Sequence, residues 1–296
     1  MRDARAMKHG RVAAFGLGLV VAATTGSAAG GEEADFTKRR VVYTLPGMDR
    51  VRVESGHYRA RDGVELPFDV YSPPDASRPG RWGAAILVHG GPVPPEARPH
   101  EWGVFQSYGR LVAASGMVAV AFTHRLHEAE DYPRAAGDVA ALVDHVRSRG
   151  DALGIDKDRL AVWVFSGGGP LASFVFRERP SYVRRLVLYY SILDFQDAPK
   201  VYAKVPPDLR PVDAVKGAFG PLPPVLLARA GKDEDWILGS IDRFVAAANA
   251  KGVSLDLLTL PEEHHGFDIS DDTPRSHEVI QTTLDFLERA LAPPQP

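Results

Sequence analysis

The sequence predicts one α/β domain built on a mostly parallel central sheet with helices on both faces. Three observations carry that expectation. From about Val51, short aliphatic or β-branched runs bounded by Gly, Pro or polar turns alternate with amphipathic stretches of about ten residues or more. No repeat or long polar linker interrupts the alternation, so the order β-α-β-α forces crossover helices onto both sides of the sheet. The 296 residues, 45% of them apolar, suffice for one large core, and a chain of that size buries about three quarters of its unfolded surface.

Residues 1–29 stand apart from this pattern. Arg2, Arg5, Lys8 and Arg11 precede an apolar run from Val12 to Ala23, followed by the small residues Ser27, Ala28 and Ala29. That is the layout of a cleavable export signal. The run falls short of the roughly twenty apolar residues a spanning helix needs, so no stable membrane insertion is expected. The expected organisation is a signal peptide over 1–29, an N-terminal extension over 30–49 and the α/β domain over 50–292, in a secreted or periplasmic protein. Cleavage would remove four basic side chains and Asp3, leaving a mature chain more acidic than the full chain's −3.

The domain opens on an antiparallel hairpin, Val51 to Ala60 and Leu66 to Tyr71, with Arg61-Asp62-Gly63 as its turn. A Pro- and Gly-rich loop, Ser72 to Gly83, leads to the buried strands. These are read at Ala84–Val88, Val118–Phe122, Leu160–Phe165, Arg185–Tyr190, Pro224–Ala228 and Leu255–Leu260. Helices are expected around Phe105–Ala114, Ala135–Arg149, Pro170–Arg177, Ile237–Ala250 and Ser276–Leu291.

Composition removes several function classes. The basic residues form no block that could neutralise a run of phosphates, so nucleic acid is not an expected partner. The absence of cysteine excludes disulfides, thiolate metal sites and a cysteine nucleophile. A nucleophile must then be an oxygen or a lysine.

The most informative stretch runs from Leu160 through Val164-Phe165-Ser166-Gly167-Gly168-Gly169-Pro170, a strand passing directly into a serine, three glycines and a helix-compatible proline. A serine hydroxyl is a poor nucleophile. It needs projection from a tight turn, a base nearby and a free backbone NH beside it. A phosphate-cradling loop would want Lys-Ser or Lys-Thr after its glycines, whereas Pro170-Leu171 follow. A plain strand-to-helix connection stays open on the turn alone. The strand Ala84–Val88 ends in His89-Gly90-Gly91-Pro92, where Gly90 or Gly91 can offer an amide alongside Gly167 to a developing oxyanion. His89 itself reads as a residue that hydrogen-bonds neighbouring loops.

His89-Gly90-Gly91 followed by Ser166 and Gly168, in this order on these elements, resembles the α/β-hydrolase superfamily over residues 50 to 292. Within it, Phe122-Thr123-His124-Arg125-Leu126 and Gly154-Ile155-Asp156-Lys157-Asp158-Arg159 are similar to the esterase and dienelactone-hydrolase-like branches. One departure is Val164, which stands where the usual Gly-x-Ser-x-Gly pattern has its first glycine. The resemblance implies the chain order nucleophile, acid, histidine. Asp233, soon after Gly231, matches the acid; Asp235 on the same loop is the alternative, and Asp194 a third. His265, immediately before Gly266-Phe267, matches the catalytic histidine in preference to His264. Adjacent histidines point apart and no other ligands cluster at a recognised spacing, so no metal and no cofactor is expected. Arg125 and Asp138 read as a structural pair.

The implied activity is ester hydrolysis through an acyl-enzyme, on a small-molecule or polymer-borne ester. The short Pro-rich segment Phe195 to Leu222 implies a small cap, and the loop Pro92 to Trp102 with Phe105 and Tyr108 is placed to overhang the other side. A peptidase of the same fold and a non-catalytic binding protein on a hydrolase scaffold are the competing readings.

Overall fold

The computed structural model describes residues 35–74, 82–218 and 221–292. The expected export signal lies outside them, as does most of the loop before the first buried strand. Strands β1 (Arg52–Arg59), β2 (Glu65–Ser72), β3 (Trp82–Val88), β4 (Val118–Phe122), β5 (Ile155–Phe165), β6 (Val183–Tyr189), β7 (Val225–Ala230) and β8 (Leu255–Leu260) form one sheet in the order β1-β2-β4-β3-β5-β6-β7-β8. β2 is antiparallel to β1 and β4, and the remaining neighbours are all parallel. The turn joining β1 to β2 uses Gly63 at φ 88°, where a side chain would be strained.

The central residues of β3 to β7 are apolar on both sides because helices cover both, whereas β8, expected as a buried strand, lies at the sheet edge with Asp256, Leu257 and Thr259 exposed. Ile86, Val88, Val162 and Val164 face one layer, formed by α2 (Tyr132–Ser148), α4 (Ser173–Glu178), α5 (Pro211–Gly217) and α6 (Asp235–Ala250). Leu87, Trp163 and Phe165 face the opposite layer, formed by α1 (Gly103–Ala114), α7 (Phe267–Ser270) and α8 (Pro274–Leu291). A short α3 (Gly150–Leu153) follows α2 and ends on Gly154 at φ 69°. The start of α8 is fixed by Thr273, whose hydroxyl accepts from the Ser276 amide at 3.1 Å, and by Pro274 in the first turn.

The topology fixes where a ligand crevice opens. The connection after β3 leaves through α1 on one face, whereas the connection after β5 leaves through α4 on the other. β3 and β5 are neighbours, so the carboxyl ends of these two strands border a switch point, the usual crevice of an open α/β sheet. The Gly90-Gly91 loop follows β3 and Ser166 follows β5.

Two local differences from the sequence-based elements have simple causes. β5 begins at Ile155 rather than Leu160, because Ile155 is buried and pairs with Trp82 across a register shift in β3. The expected helix from Pro170 is a 3₁₀ helix over Ser166–Ala172, with α4 starting only at Ser173. Pro170 has no amide to donate, and three consecutive glycines weaken regular helix.

Two further segments pack onto this body. The expected cap, containing 3₁₀ helices Lys200–Lys204 and Pro207–Leu209 and then α5, buries Tyr202, Val205, Leu209, Val212 and Val215 in the first layer. The segment preceding β1 also docks. The Val41 amide donates to Ser107 Oγ at 2.9 Å, the Val42 amide to the Asp268 carbonyl at 2.8 Å, and Phe36 meets Trp102 edge to face at 5.9 Å.

Candidate active site

Ser166 sits at the apex of the β5 turn with φ 51°, a left-handed backbone that an L-residue adopts only where its surroundings impose it. The Ile192 amide donates to the Ser166 carbonyl at 3.0 Å, and the Tyr132 hydroxyl donates to the Gly167 carbonyl at 2.8 Å. Close backbone contacts require the glycines. A Cβ on Gly167 would lie 2.0 Å from the Gly91 carbonyl oxygen, and one on Gly169 would lie 2.0 Å from that of Ile192.

Val164 is accommodated by the same means. Its side chain is fully buried in the first layer, and a Cβ on Gly168 would come within 3.0 Å of Val164 Cγ1 and 2.8 Å of the His89 carbonyl oxygen. The bulk that the usual pattern avoids before the serine is therefore relieved by an absent side chain after it.

His265, on the loop between β8 and α7, places Nε2 2.7 Å from Ser166 Oγ. Its Nδ1 lies 2.8 Å from Asp233 Oδ2 on the loop after β7. With Nδ1–H donating to the carboxylate, Nε2 is left to accept the serine proton. The Asp233 carboxyl is 1% exposed and its other oxygen accepts from the Glu234 amide at 2.8 Å, which fixes its orientation. Asp235 is not part of this arrangement. It opens α6 with an exposed side chain, where a negative charge complements the helix dipole. Asp194 is ion-paired with Arg243, and His264 is exposed against Asp271.

The Gly90-Gly91 loop lies directly against the elbow. A Cβ on Gly90 would be 3.0 Å from Ser166 Cβ and 3.4 Å from the Gly167 nitrogen, so the Gly90 and Gly167 backbones flank the serine together. Gly91 packs its carbonyl on Gly167 and its Cα side on Leu126. Two stacked imidazoles support the loop from below. The rings of His89 and His124 lie 3.5 Å apart and 7° from parallel. His89 Nδ1–H donates to the Gly90 carbonyl at 2.6 Å while Nε2 accepts from the His124 amide at 3.3 Å. His124 Nε2–H donates to the His89 carbonyl at 3.1 Å. Complete burial pushes His89 down to about 3 and holds His124 well below the usual imidazole range, so both rings are neutral donors at physiological pH.

A cleft of about 330 Å³ opens over Ser166 and His265. Its apolar wall comes from Val93, Trp102, Val104, Phe105, Phe165, Tyr190 and Ile269, closed on one side by Phe36 and Arg39 from the segment before β1. Trp102 and Phe105 fulfil the expectation for the loop after β3. Tyr108 does not reach the cleft. It is buried, with its hydroxyl on Asp268. Among the described residues, the cap segment from Phe195 onward supplies none of the lining residues. Phe36, Arg39, Tyr190 and Ile269 carry no sequence signal of their own; tertiary packing alone brings them here. Arg125 makes the expected structural pair, a two-pronged contact with the buried Asp138 at 2.7 and 2.9 Å, extended to Asp62 at 2.7 Å. Among the described residues no group of three or more His, Cys, Asp or Glu side chains could hold a metal ion, and no helix is long and apolar enough to cross a membrane.

This sheet, with a serine at the turn after β5 and its histidine after the last strand, has the α/β-hydrolase fold. Solved structures of that fold superpose over most of the chain. A thermophilic esterase from the planctomycete Thermogutta terrifontis matches with a TM-score of 0.65 at 20% identity, covering 85% of this chain and 97% of its own. A thermostable carboxylesterase cloned from a metagenomic library matches with a TM-score of 0.66 at 21% identity, covering 82% and 90%. In sequence, the BD-FAE family model matches residues 68–180. An ethyl acetate hydrolase from Pseudomonas putida is 36% identical over 120 residues, 39% of this chain and 35% of that protein, so the match spans about a third of the curated relative's length.

Proposed function

We propose that this protein is a serine hydrolase that cleaves carboxylic esters through an acyl-enzyme on Ser166, His265 and Asp233. The observation that carries the reading is the unbroken line from Ser166 Oγ to His265 Nε2 at 2.7 Å and from His265 Nδ1 to Asp233 Oδ2 at 2.8 Å, opening into an apolar cleft. In this mechanism His265 removes the Ser166 proton as Oγ attacks the carbonyl. The amides of Gly167 and of Gly90 or Gly91 stabilise the oxyanion, each such donor contributing about two to three powers of ten in rate. Imidazolium then protonates the leaving alcohol, and water, deprotonated by His265, releases the acid.

Ester preference is supported by the solved esterases of the same fold and by the partial match to an ethyl acetate hydrolase. The modest cleft volume favours short or compact acyl groups over long chains. A fluorophosphonate probe is expected to label Ser166, and Ser166→Ala to lose both labelling and up to about six powers of ten in turnover while keeping its fold. A panel of esters of increasing acyl length, with matched amides, then reads out specificity. Normal hydrolysis by Ser166→Ala would refute the mechanism, and exclusive action on long acyl chains or on peptides would refute the substrate class. We also propose that residues 1–29 direct export and are removed, which would place the mature enzyme outside the cytoplasm.

A further inference from the structure

We propose that Tyr190 is a positioning residue for His265 and that Asp268, held beneath it, supplies a second buried carboxylate favouring the imidazolium formed during turnover; this rests on the Ser166-His265-Asp233 reading. Asp268 is fully buried on the first turn after the histidine loop. Its two oxygens are each taken by one phenol. Tyr190 Oη donates to Oδ1 at 2.7 Å and Tyr108 Oη donates to Oδ2 at 2.8 Å. The Tyr190 ring lies against the imidazole, 4.6 Å between centroids at 59°.

The backbone is bent to make this contact. Tyr190 has φ 37°, a left-handed conformation costly for an aromatic residue, and it is pinned there by its amide on the Ala228 carbonyl at 2.9 Å. A left-handed residue immediately after β6 turns the ring off the strand and onto His265. Conformations of this cost persist where the surroundings over-determine them, and they cluster at working sites.

A carboxylate that only tied loops together would be better replaced by a neutral amide, because an isolated buried charge is expensive. Burial raises the Asp268 pKa, while the hydrogen bonds from Tyr190 and Tyr108 and the charge of His265 oppose that rise. The groups facing Asp268 are therefore Tyr108 on α1, Tyr189 and Tyr190 at the end of β6, and His265 on its own loop. The other charged groups around His265 are engaged elsewhere. Lys232 pairs with Glu262, His264 with Asp271, Glu234 accepts from the Trp236 indole, and Arg39 donates to Ser270. Asp233 addresses His265 through Nδ1, and Asp268 holds the phenol whose ring packs against the imidazole.

The test follows fluorophosphonate labelling of Ser166 across pH in wild type, Asp268→Asn and Tyr190→Phe. Removing the charge makes imidazolium harder to form, so the acid limb of the labelling profile in Asp268→Asn is expected to move down by about half to one pH unit. Tyr190→Phe keeps the ring but removes a hydrogen bond that favours the Asp268 carboxylate, so the acid is neutral over more of the pH range; the limb is expected to shift in the same direction and labelling to slow by up to about tenfold. Ester KM should stay within about twofold in both, because the loss is in the transition state. Folded variants with wild-type rates and an unmoved acid limb would overturn the proposal. If Asp268→Asn does not fold, Tyr190→Phe, which removes one oxygen, carries the test alone. A wild-type protein that fails to label at Ser166 would instead overturn the triad.

Discussion

At the scale of single residues, each member of the site is placed by one local constraint. Ser166 is fixed by a left-handed φ, Asp233 by burial and the Glu234 amide, and Val164 by the space Gly168 leaves open. Asp233→Asn keeps the shape of the acid but presents the imidazole with the wrong hydrogen-bond partner, so it is expected to lower kcat by about four powers of ten. Asp235→Asn, on an exposed helix start, should change kcat by less than about twofold. The opposite ranking would transfer the acid role to Asp235. Val164→Gly restores the usual motif, yet it empties a fully buried position. The expected result is a loss of about 2–4 kcal/mol in urea unfolding, from cavity and backbone entropy together, with Ser166 labelling retained. Lost labelling in a folded Val164→Gly protein would show that the valine shapes the elbow itself.

Elements bring a different kind of dependence, because the loop after β3 rests on a neutral imidazole stack. Both rings have folded pKa values below the unfolded value near 6.5, so the unfolded state takes up protons first as pH falls. Their contribution to stability is complete above about pH 6.5 and is lost progressively as pH drops toward the folded value, about 3 for His89. Asp268 works in the opposite sense. Its raised pKa gives stability that is present below 3.8 and lost as pH rises through the folded value. Two histidines outweigh one acid between pH 6.5 and 5, since each imidazole lets the unfolded state bind one more proton as pH falls, whereas the single carboxyl offsets at most one. Urea midpoints are therefore expected to fall between pH 7 and pH 5 in wild type, and to fall less steeply in His124→Asn, which cannot charge. Identical slopes would remove the stack as the source.

Across the whole molecule, the site exists because β3 and β5 send their connections to opposite faces of one sheet. The walls above it come from distant parts of the chain, including Phe36 and Arg39, which precede the first strand. The proposed export of the protein belongs to this scale too. Material recovered from the periplasm or medium is expected to begin near residue 30, with N-terminal sequencing as the measurement. Exported protein still starting at Met1 would contradict a cleaved signal.

The sequence by itself determined the alternation of strands and helices, the serine turn, the glycine loop and the histidine near the end. These are legible because covered strands must be apolar on both sides and because a nucleophile turn needs small residues next to it. Only the tertiary structure shows that Asp233 is buried and aimed at His265 Nδ1 while Asp235 is exposed, because that depends on how the loop packs. It also brought together Tyr108 on α1, Tyr190 after β6 and Asp268 on α7, and added Phe36 and Arg39 from the segment before β1 to the cleft lining. Local patterns record what each segment buries. Hydrogen bonds between residues 160 positions apart, as from Tyr108 to Asp268, leave no trace in periodicity or spacing.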